Sequence, residues 1–406
     1  MSESLIISLD SQVDSLEIVG GKGRSLAKLT NAGFDVPGGF QITTQAYRQF
    51  VAEHNLQSQI LELAKPRIVE GTSSFEQASR DIVSLFHEHA LNEEITQQIV
   101  KAYEALEGTP AVAVRSSANA EDLPDLSFAG QQETYLNVTG ANEVAAAVRN
   151  CWASLWTAQA INYRHEMDIQ QDVVAMAVVV QIMIPSEVSG ILFTANPATG
   201  DRDEMIVNCS FGLGEAVVSG QVTPDTYVVD RQSLKTKETI IGAKDQMIVS
   251  DGNQGTRMED VTEAQKKQSS LAETALNELA SVALQIEKEF DGVPQDIEWA
   301  ISAGKLWLLQ SRPITHLPVP PPKDVSWPEI PDAQLLKRQV AENMPEPLSP
   351  LFQDLYLKGL FDSQKWPDDW KWEGIHTRSW MKNFVVTTVN GYAFQPIYHS
   401  GADEWK

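Results

Sequence analysis

Residues 110–138 read PAVAVRSSANAEDLPDLSFAGQQETYLNV. Ala111 to Val114 is a short apolar run of β-formers that stops at Arg115, Ser116 and Ser117, a cation and two hydroxyls with no hydrophobic periodicity after them. That pattern predicts a buried strand delivering a polar tip. Beyond it the loop carries Glu121, Asp122, Pro124, Asp125 and Gly130, then Gln131 to Thr134, before a second strand-like run from Tyr135 to Val138. A cation, hydroxyls and a glycine that lets backbone come close suit a polyphosphate, whose anionic oxygens need several donors held still. A surface hairpin with a polar loop is the alternative, and because no Gly-Lys-Ser/Thr phosphate motif is present, the residues alone leave both open.

A second polar cluster comes from residues 295–312. Asp296 to Ile301 and Leu306 to Gln310 are two strand patterns around a short glycine-containing turn, which predicts a hairpin. With a three-residue loop of Ala303, Gly304 and Lys305, Ser302 pairs with Leu306. Glu298 then falls opposite Gln310, on one face with Arg312. A carboxylate and an amide oxygen side by side are hard ligands of the kind Mg²⁺ takes, and an arginine beside them can hold a phosphate. A loop of two or four residues would split them across the sheet.

Elsewhere the chain is mostly scaffold. Gly20-Gly21-Lys22-Gly23 stands directly before the amphipathic turn Ser25 to Leu29, so it reads as a glycine loop at a helix N-terminus, able to offer N–H groups and a cation to an anion. A plain glycine turn with a solvated lysine fits the same residues. The stretch from Thr44 to about Glu107 has helical spacing, with Thr44 as cap. His87 and His89, two apart on a helix, make a poor metal pair. Asn142 to about Glu166 predicts a helix with Trp152 and Trp156 on its packing face. Val173 to Ile184 predicts a buried strand whose one polar interruption, Gln181, must find a partner. Ser189 to Ala195, Glu204 to Cys209 and Thr226 to Val229 read as further strands. Thr262 with Gln265 is a capping box at the head of a helix predicted to run to Phe290.

Composition bounds what the chain can be. At 406 residues, 42% hydrophobic and 21% charged, it is an ordinary folded chain with room for two or three domains. Its 31 basic and 55 acidic residues give a net charge of −24, which argues against nucleic-acid or anionic-membrane partners. Cys151 and Cys209 sit in apolar segments and read as reduced core residues. With no signal-like N-terminus, the expected compartment is the cytoplasm. Beyond Pro313, six prolines from Pro318 to Pro331 predict a semi-rigid linker.

The string AVRSSANAEDLPDLSFAGQQETYLNV closely resembles the nucleotide-binding domain of the dikinase family, which includes phosphoenolpyruvate synthase, pyruvate phosphate dikinase and rifampicin phosphotransferase. Three further stretches fit it: GGKGRSLAKLTNAGFDVPGGF, SGILFTANPATGDRDEMIVNCSFGLGEAVVSGQVTPDTYVVD and PQDIEWAISAGKLWLLQSRPIT. The resemblance implies an α+β, ATP-grasp type domain of two subdomains, residues 1–190 and 191–316, around ATP. A Pro-rich linker at 317–331 and an incomplete substrate-binding domain at 332–406 would follow, since ENMPEPLSPLF resembles the opening of that domain in rifampicin phosphotransferase-like members. It implies that ATP is split to AMP. The β-phosphate would pass to a histidine on a separate carrier domain and on to pyruvate or an antibiotic such as rifampicin. By motif match Lys22, Arg115 and Arg312 would hold phosphates, the two arginines catalytically, Glu298 and Gln310 the Mg²⁺, and Gly130, Thr134 and Gln181 the rest of the nucleotide. None of the seven histidines stands in the family's phosphohistidine context of Thr or Ser before His-Gly or His-Ala, so the carrier is expected to act in trans. The alternative is a non-catalytic ATP-binding module or half of a split enzyme.

Overall fold

The computed structural model describes residues 4–69, 72–119, 133–252 and 254–319, and beyond them five short strands. The chain divides into two compact units, Met1–Pro320 and Pro321–Lys406. In the second, strands Ala333–Leu336, Tyr392–Tyr398 and Thr387–Val389 form one antiparallel sheet, in that order, and Lys371–Trp372 pairs with Ile375–His376. The expected linker lies almost entirely outside the described residues.

The first unit opens with β1 (Ile6–Ser8), α1 (Leu16–Asn31), β2 (Gly39–Ile42), α2 (Thr44–Glu53) and α3 (Leu56–Leu63). A small hairpin of β3 (Arg67–Val69) and β4 (Thr72–Ser74) leads to α4 (Glu76–Glu88) and α5 (Glu93–Glu104). Then come β5 (Val112–Ala118), β6 (Thr134–Val138), α6 (Ala141–Ser154), α7 (Ala158–Glu166) and β7 (Met176–Ile182). Five of these strands make an antiparallel sheet in the order β1-β2-β7-β5-β6. β5 is longer than its apolar run, because Arg115, Ser116 and Ser117 continue the ladder against β7 and are themselves buried. The polar residues thus stand within the strand and not on a tip beyond it.

The register of this sheet sorts its residues by chemistry. Val112, Val114, Val178 and Val180 project to one face, where with the helices α2 to α7 they form the larger core, each fully buried. Burying such a side chain contributes about 1.5–3 kcal/mol. On the opposite face, alternation aligns Thr134, Arg115, Val179 and Gln41 across β6, β5, β7 and β2, with Ser117 and Gln181 one pleat away on either side. α1 packs on this polar face, with Leu26 against Leu9 and Val179.

The second half runs β8 (Val188–Phe193), β9 (Glu204–Phe211), α8 (Glu215–Val218), β10 (Asp225–Asp230), β11 (Thr236–Ile240), β12 (Gln246–Ser250), β13 (Thr256–Asp260), α9 (Glu263–Lys266), α10 (Glu273–Glu289), β14 (Gln295–Ser302) and β15 (Lys305–Pro313). Six strands form an antiparallel sheet in the order β11-β10-β9-β8-β14-β15, and α10 covers one face through Leu276, Leu279, Ala283 and Ile286, against Trp299, Ile297 and Val207. The residue 190/191 division falls inside β8. Among the described residues no helix is long and apolar enough to cross a membrane.

Two long helices expected from spacing are each broken in two. Between α6 and α7, the Thr157 hydroxyl accepts from Ala160 N and starts a new helix. The Thr262–Gln265 capping box is present but heads only the single turn of α9. The chain leaves the helical path because Ser270 gives both its N–H and its hydroxyl to the buried Asp225 carboxylate, at 2.7 Å each. At the other end of the unit α2 is capped by Thr43, not Thr44, without a side-chain hydrogen bond.

Candidate functional site

The 303–304 turn corrects the hairpin register. Ser302 pairs with Lys305, so the loop has two residues, Ala303 and Gly304, both with positive φ (49° and 72°), the conformation a tight hairpin turn with strand-matched twist requires. Glu298 nevertheless stands opposite Gln310, because β15 carries a bulge: Trp299 pairs with Leu308, Glu298 with Gln310, and Leu309 is the extra residue. The predicted neighbours meet for a different reason from the one the sequence offered. Leu306 and Leu308 pack into the α10 core, while Gln310 and Arg312 turn to the other face.

That face meets the polar face of the first sheet through Arg115. Its Nη1 donates to Leu309 O at 2.9 Å, and its Nη2 donates to Glu298 Oε2 at 2.5 Å and Gln310 Oε1 at 2.7 Å. The pair is well shielded, with side-chain exposures of 11% for Arg115 and 23% for Glu298. Burial pushes the Glu298 carboxyl up, but Arg115 with Lys22 and Arg312 outweighs it, so the group is held below the ordinary carboxylate value and is ionised at neutral pH.

Arg312 is fixed in turn by Asp296, its neighbour across the hairpin. Nε and Nη2 both donate to Asp296 Oδ2, at 2.8 and 2.7 Å. Asp296 is raised by burial, offset by Arg312 and added to by Glu298, and its Oδ1 is buried with no partner among the described residues. Spacing contained this residue: Asp296 precedes Glu298 by one strand period and so shares its face.

Lys22 does not sit in a loop. The glycines belong to α1, which is broken at Gly20 (φ 68°, ψ 179°), so that Gly21, Lys22 and Gly23 open the segment after the break. Gly20 must lack a side chain, since a Cβ there would run into the carbonyl and hydroxyl oxygens of Ser117. A Cβ at Gly23 would meet Gln41 Oε1. Further along, the Ser25 hydroxyl donates to Ser311 O at 2.5 Å, tying α1 to β15 one residue before Arg312. Thr134 pairs with Arg115 at the sheet edge and is exposed. Among the described residues it is the one expected site residue lining a cavity of about 340 Å³ between β6, α6 and the β12–β13 hairpin. Gln181 is buried and its Nε2 has no partner among the described residues. Gly130 lies outside the described residues.

Glu298 Oε2 and Gln310 Oε1 converge on one cationic nitrogen, and two hard oxygens aimed at one positive centre are what a divalent cation needs. The donor set fits Mg²⁺. Among the described residues no cluster of three or more His, Cys, Asp or Glu offers an all-protein metal cage.

Known proteins resemble most of the chain. The chain is 42% identical over 307 residues to a probable phosphoenolpyruvate synthase of Methanocaldococcus jannaschii, covering 74% of this chain and 26% of that protein. It is 39% identical over 349 residues to phosphoenolpyruvate synthase of Pyrococcus furiosus, covering 75% and 43%. To rifampicin phosphotransferase of a Streptomyces species it is 40% identical over 327 residues, covering 79% and 37%. The chain thus spans between a quarter and a half of the length of these relatives. Among solved structures, D-alanine–D-alanine ligase of Bacillus anthracis aligns with a TM-score of 0.24 at 10% identity, covering 59% of this chain and 56% of that one, too low a score to carry a fold. Residues 16–327 match the family described as "Pyruvate phosphate dikinase, AMP/ATP-binding domain", and the chain belongs to that family.

Proposed function

We propose that this chain is the ATP-binding part of a dikinase-type phosphotransferase, splitting ATP to AMP and handing the β-phosphate to a histidine carrier domain that acts from outside these residues. The observation that carries the reading is the meeting of Arg115 from one sheet with Glu298 and Gln310 from the other, with Arg312 alongside and the Lys22 charge within reach of Glu298. Phosphoryl transfer asks mainly for positioned cations and a metal, and this face carries the cations and two oxygens that would hold a metal. Arg115, Arg312 and Lys22 hold phosphate oxygens, Glu298 and Gln310 hold Mg²⁺, and Thr134, Gly130 and the unpartnered amide of Gln181 serve the rest of the nucleotide. Bound Mg²⁺ neutralises phosphate charge. The two sheets form the two subdomains of an ATP-grasp domain, 1–190 and 191–316. The expected acceptor is pyruvate or an antibiotic of the rifampicin kind, and the compartment is the cytoplasm.

Because the Glu298 carboxyl is lowered in the folded state, its pairing stabilises the fold fully above the unfolded carboxylate value of about 4.3. That contribution is lost as pH falls through the lower native value. Glu298→Gln removes the charge and keeps the shape. We expect it to weaken ATP binding in Mg²⁺ at least tenfold more than in EDTA, measured by calorimetric titration of both forms. Equal losses in the two conditions would make Glu298 a purely structural residue.

The test of the reaction is incubation of the purified chain with β-labelled ATP, alone and with an added carrier domain from a relative. The chain alone should bind ATP without sustained AMP release, and the added carrier should become an acid-labile phosphoprotein. AMP release by the chain alone at roughly 1 per second or faster would place the acceptor histidine within it and end the need for a carrier in trans. No labelling in either arm would favour a non-catalytic ATP-binding module.

A further inference from the structure

We infer that Ser117 is a positioning residue for Lys22, spliced into the hydrogen-bond ladder of α1. In an unbroken helix the N–H of Gly23 would donate to the carbonyl of Val19, four residues back. Here the Ser117 hydroxyl bridges the same two groups. Gly23 N donates to Ser117 Oγ at 3.1 Å, and Ser117 Oγ donates to Val19 O at 2.8 Å. A hydroxyl can do this because it accepts along one direction and donates along another. A group inserted into the ladder bends a helix at that point, and the break is where it should be, at Gly20 between Val19 and Gly23.

Three features show that this is a built joint and not an incidental contact. Ser117 is 0% exposed, so water does not compete for either bond. Gly20 takes the left-handed φ that the break requires, and its missing Cβ is the space that Ser117 occupies. Ser117 also sits one strand period after Arg115, so both side chains leave the same face of β5, and the strand that carries one cation sets the helix segment that carries the other. Arg115 and Lys22 are 93 residues apart in sequence. Ser117 makes their separation a property of one strand and one hydroxyl.

This inference rests on the reading that Lys22 and Arg115 hold phosphates, and a double-mutant cycle separates the two. Ser117→Ala removes the bridge that holds the break in α1, so Lys22 is no longer fixed by it. We expect ATP affinity to fall about tenfold, with the Ser117→Ala loss absent in a Lys22→Ala background. Ser117→Cys, which keeps a weak donor and acceptor at similar volume, should lose less. Calorimetry of the four proteins of the cycle, with denaturant unfolding of each, gives the answer. If Lys22→Ala itself binds ATP as the parent does, the phosphate reading of Lys22 falls, and the positioning role with it. If Lys22→Ala weakens binding but Ser117→Ala costs nothing in the parent background, or costs as much beside Lys22→Ala as alone, only the positioning role is overturned. Failure of both the Ala and Cys variants to fold would make Ser117 a structural residue and overturn the inference.

Discussion

Arg115→Ala should bind ATP at least tenfold more weakly and unfold more easily, and the two losses have one origin. The guanidinium is the link by which the polar face of the first sheet reaches a backbone carbonyl, a carboxylate and an amide of the second. Removing it leaves the Glu298 charge shielded from water and without its nearest cation. Breaking a buried ion pair from one side costs about 3–5 kcal/mol, and the residual exposure of Glu298 places the expected loss near the lower end. Arg115→Lys keeps the charge but cannot reach three acceptors from a planar fork, so it should recover part of the stability and less of the affinity. Calorimetric titration with ATP alongside denaturant unfolding checks both. Unchanged ATP affinity in Arg115→Ala would remove the central strand from the nucleotide site, whatever happened to stability.

A comparably large loss of stability is expected far from that face, at Lys244. Its ammonium is 0% exposed and paired with Asp225, also 0% exposed. The same Asp225 oxygen accepts from Gly242 N at 2.8 Å, and the other oxygen takes the two bonds from Ser270. Lys244→Met keeps the volume and leaves the carboxylate buried without a counter-charge, for a cost of about 3–5 kcal/mol. Against a typical total of about 5–15 kcal/mol that is a large fraction. Adding Asp225→Asn removes the stranded charge, so the double variant should be more stable than Lys244→Met alone. Denaturant midpoints of the three variants measure this. Equal midpoints for Lys244→Met and the parent would show that the three other hydrogen bonds to Asp225 suffice, and that the ammonium contributes nothing.

Both sheets and the residues of the proposed phosphate face were legible in the sequence to the extent that they follow alternation. Val112 and Val114 against Arg115 and Ser117 is a period-two pattern. Once β5 is drawn through Ala118, the face carrying Arg115 follows from it. What the sequence hid were events that depend on residues distant along the chain. The long helix predicted from Thr262 ends after Lys266, and a few residues on Asp225, far back in β10, captures the backbone at Ser270. The glycines before Ser25 resemble a free phosphate loop, but Gly20 and Gly23 are small because Ser117 and Gln41 press against them from other strands. Asp296 was passed over for a different reason. Its role is to hold Arg312, and that needs the partner's position as well as its own.

The bulge at Leu309 gives β15 two phases. From Lys305 to Leu308 the strand keeps time with the apolar core, and from Gln310 onward it keeps time with the face that carries Glu298, half a period out of step. A turn longer by one residue would shift the first part alone, and loss of the bulge would shift it back. Turn length and bulge therefore form a compensating pair, and the hairpin can drift in length at its solvent end without moving Gln310 or Arg312, provided both change together. The tolerance belongs to the tip, and the fidelity to the four pairs from Gln295 to Glu298.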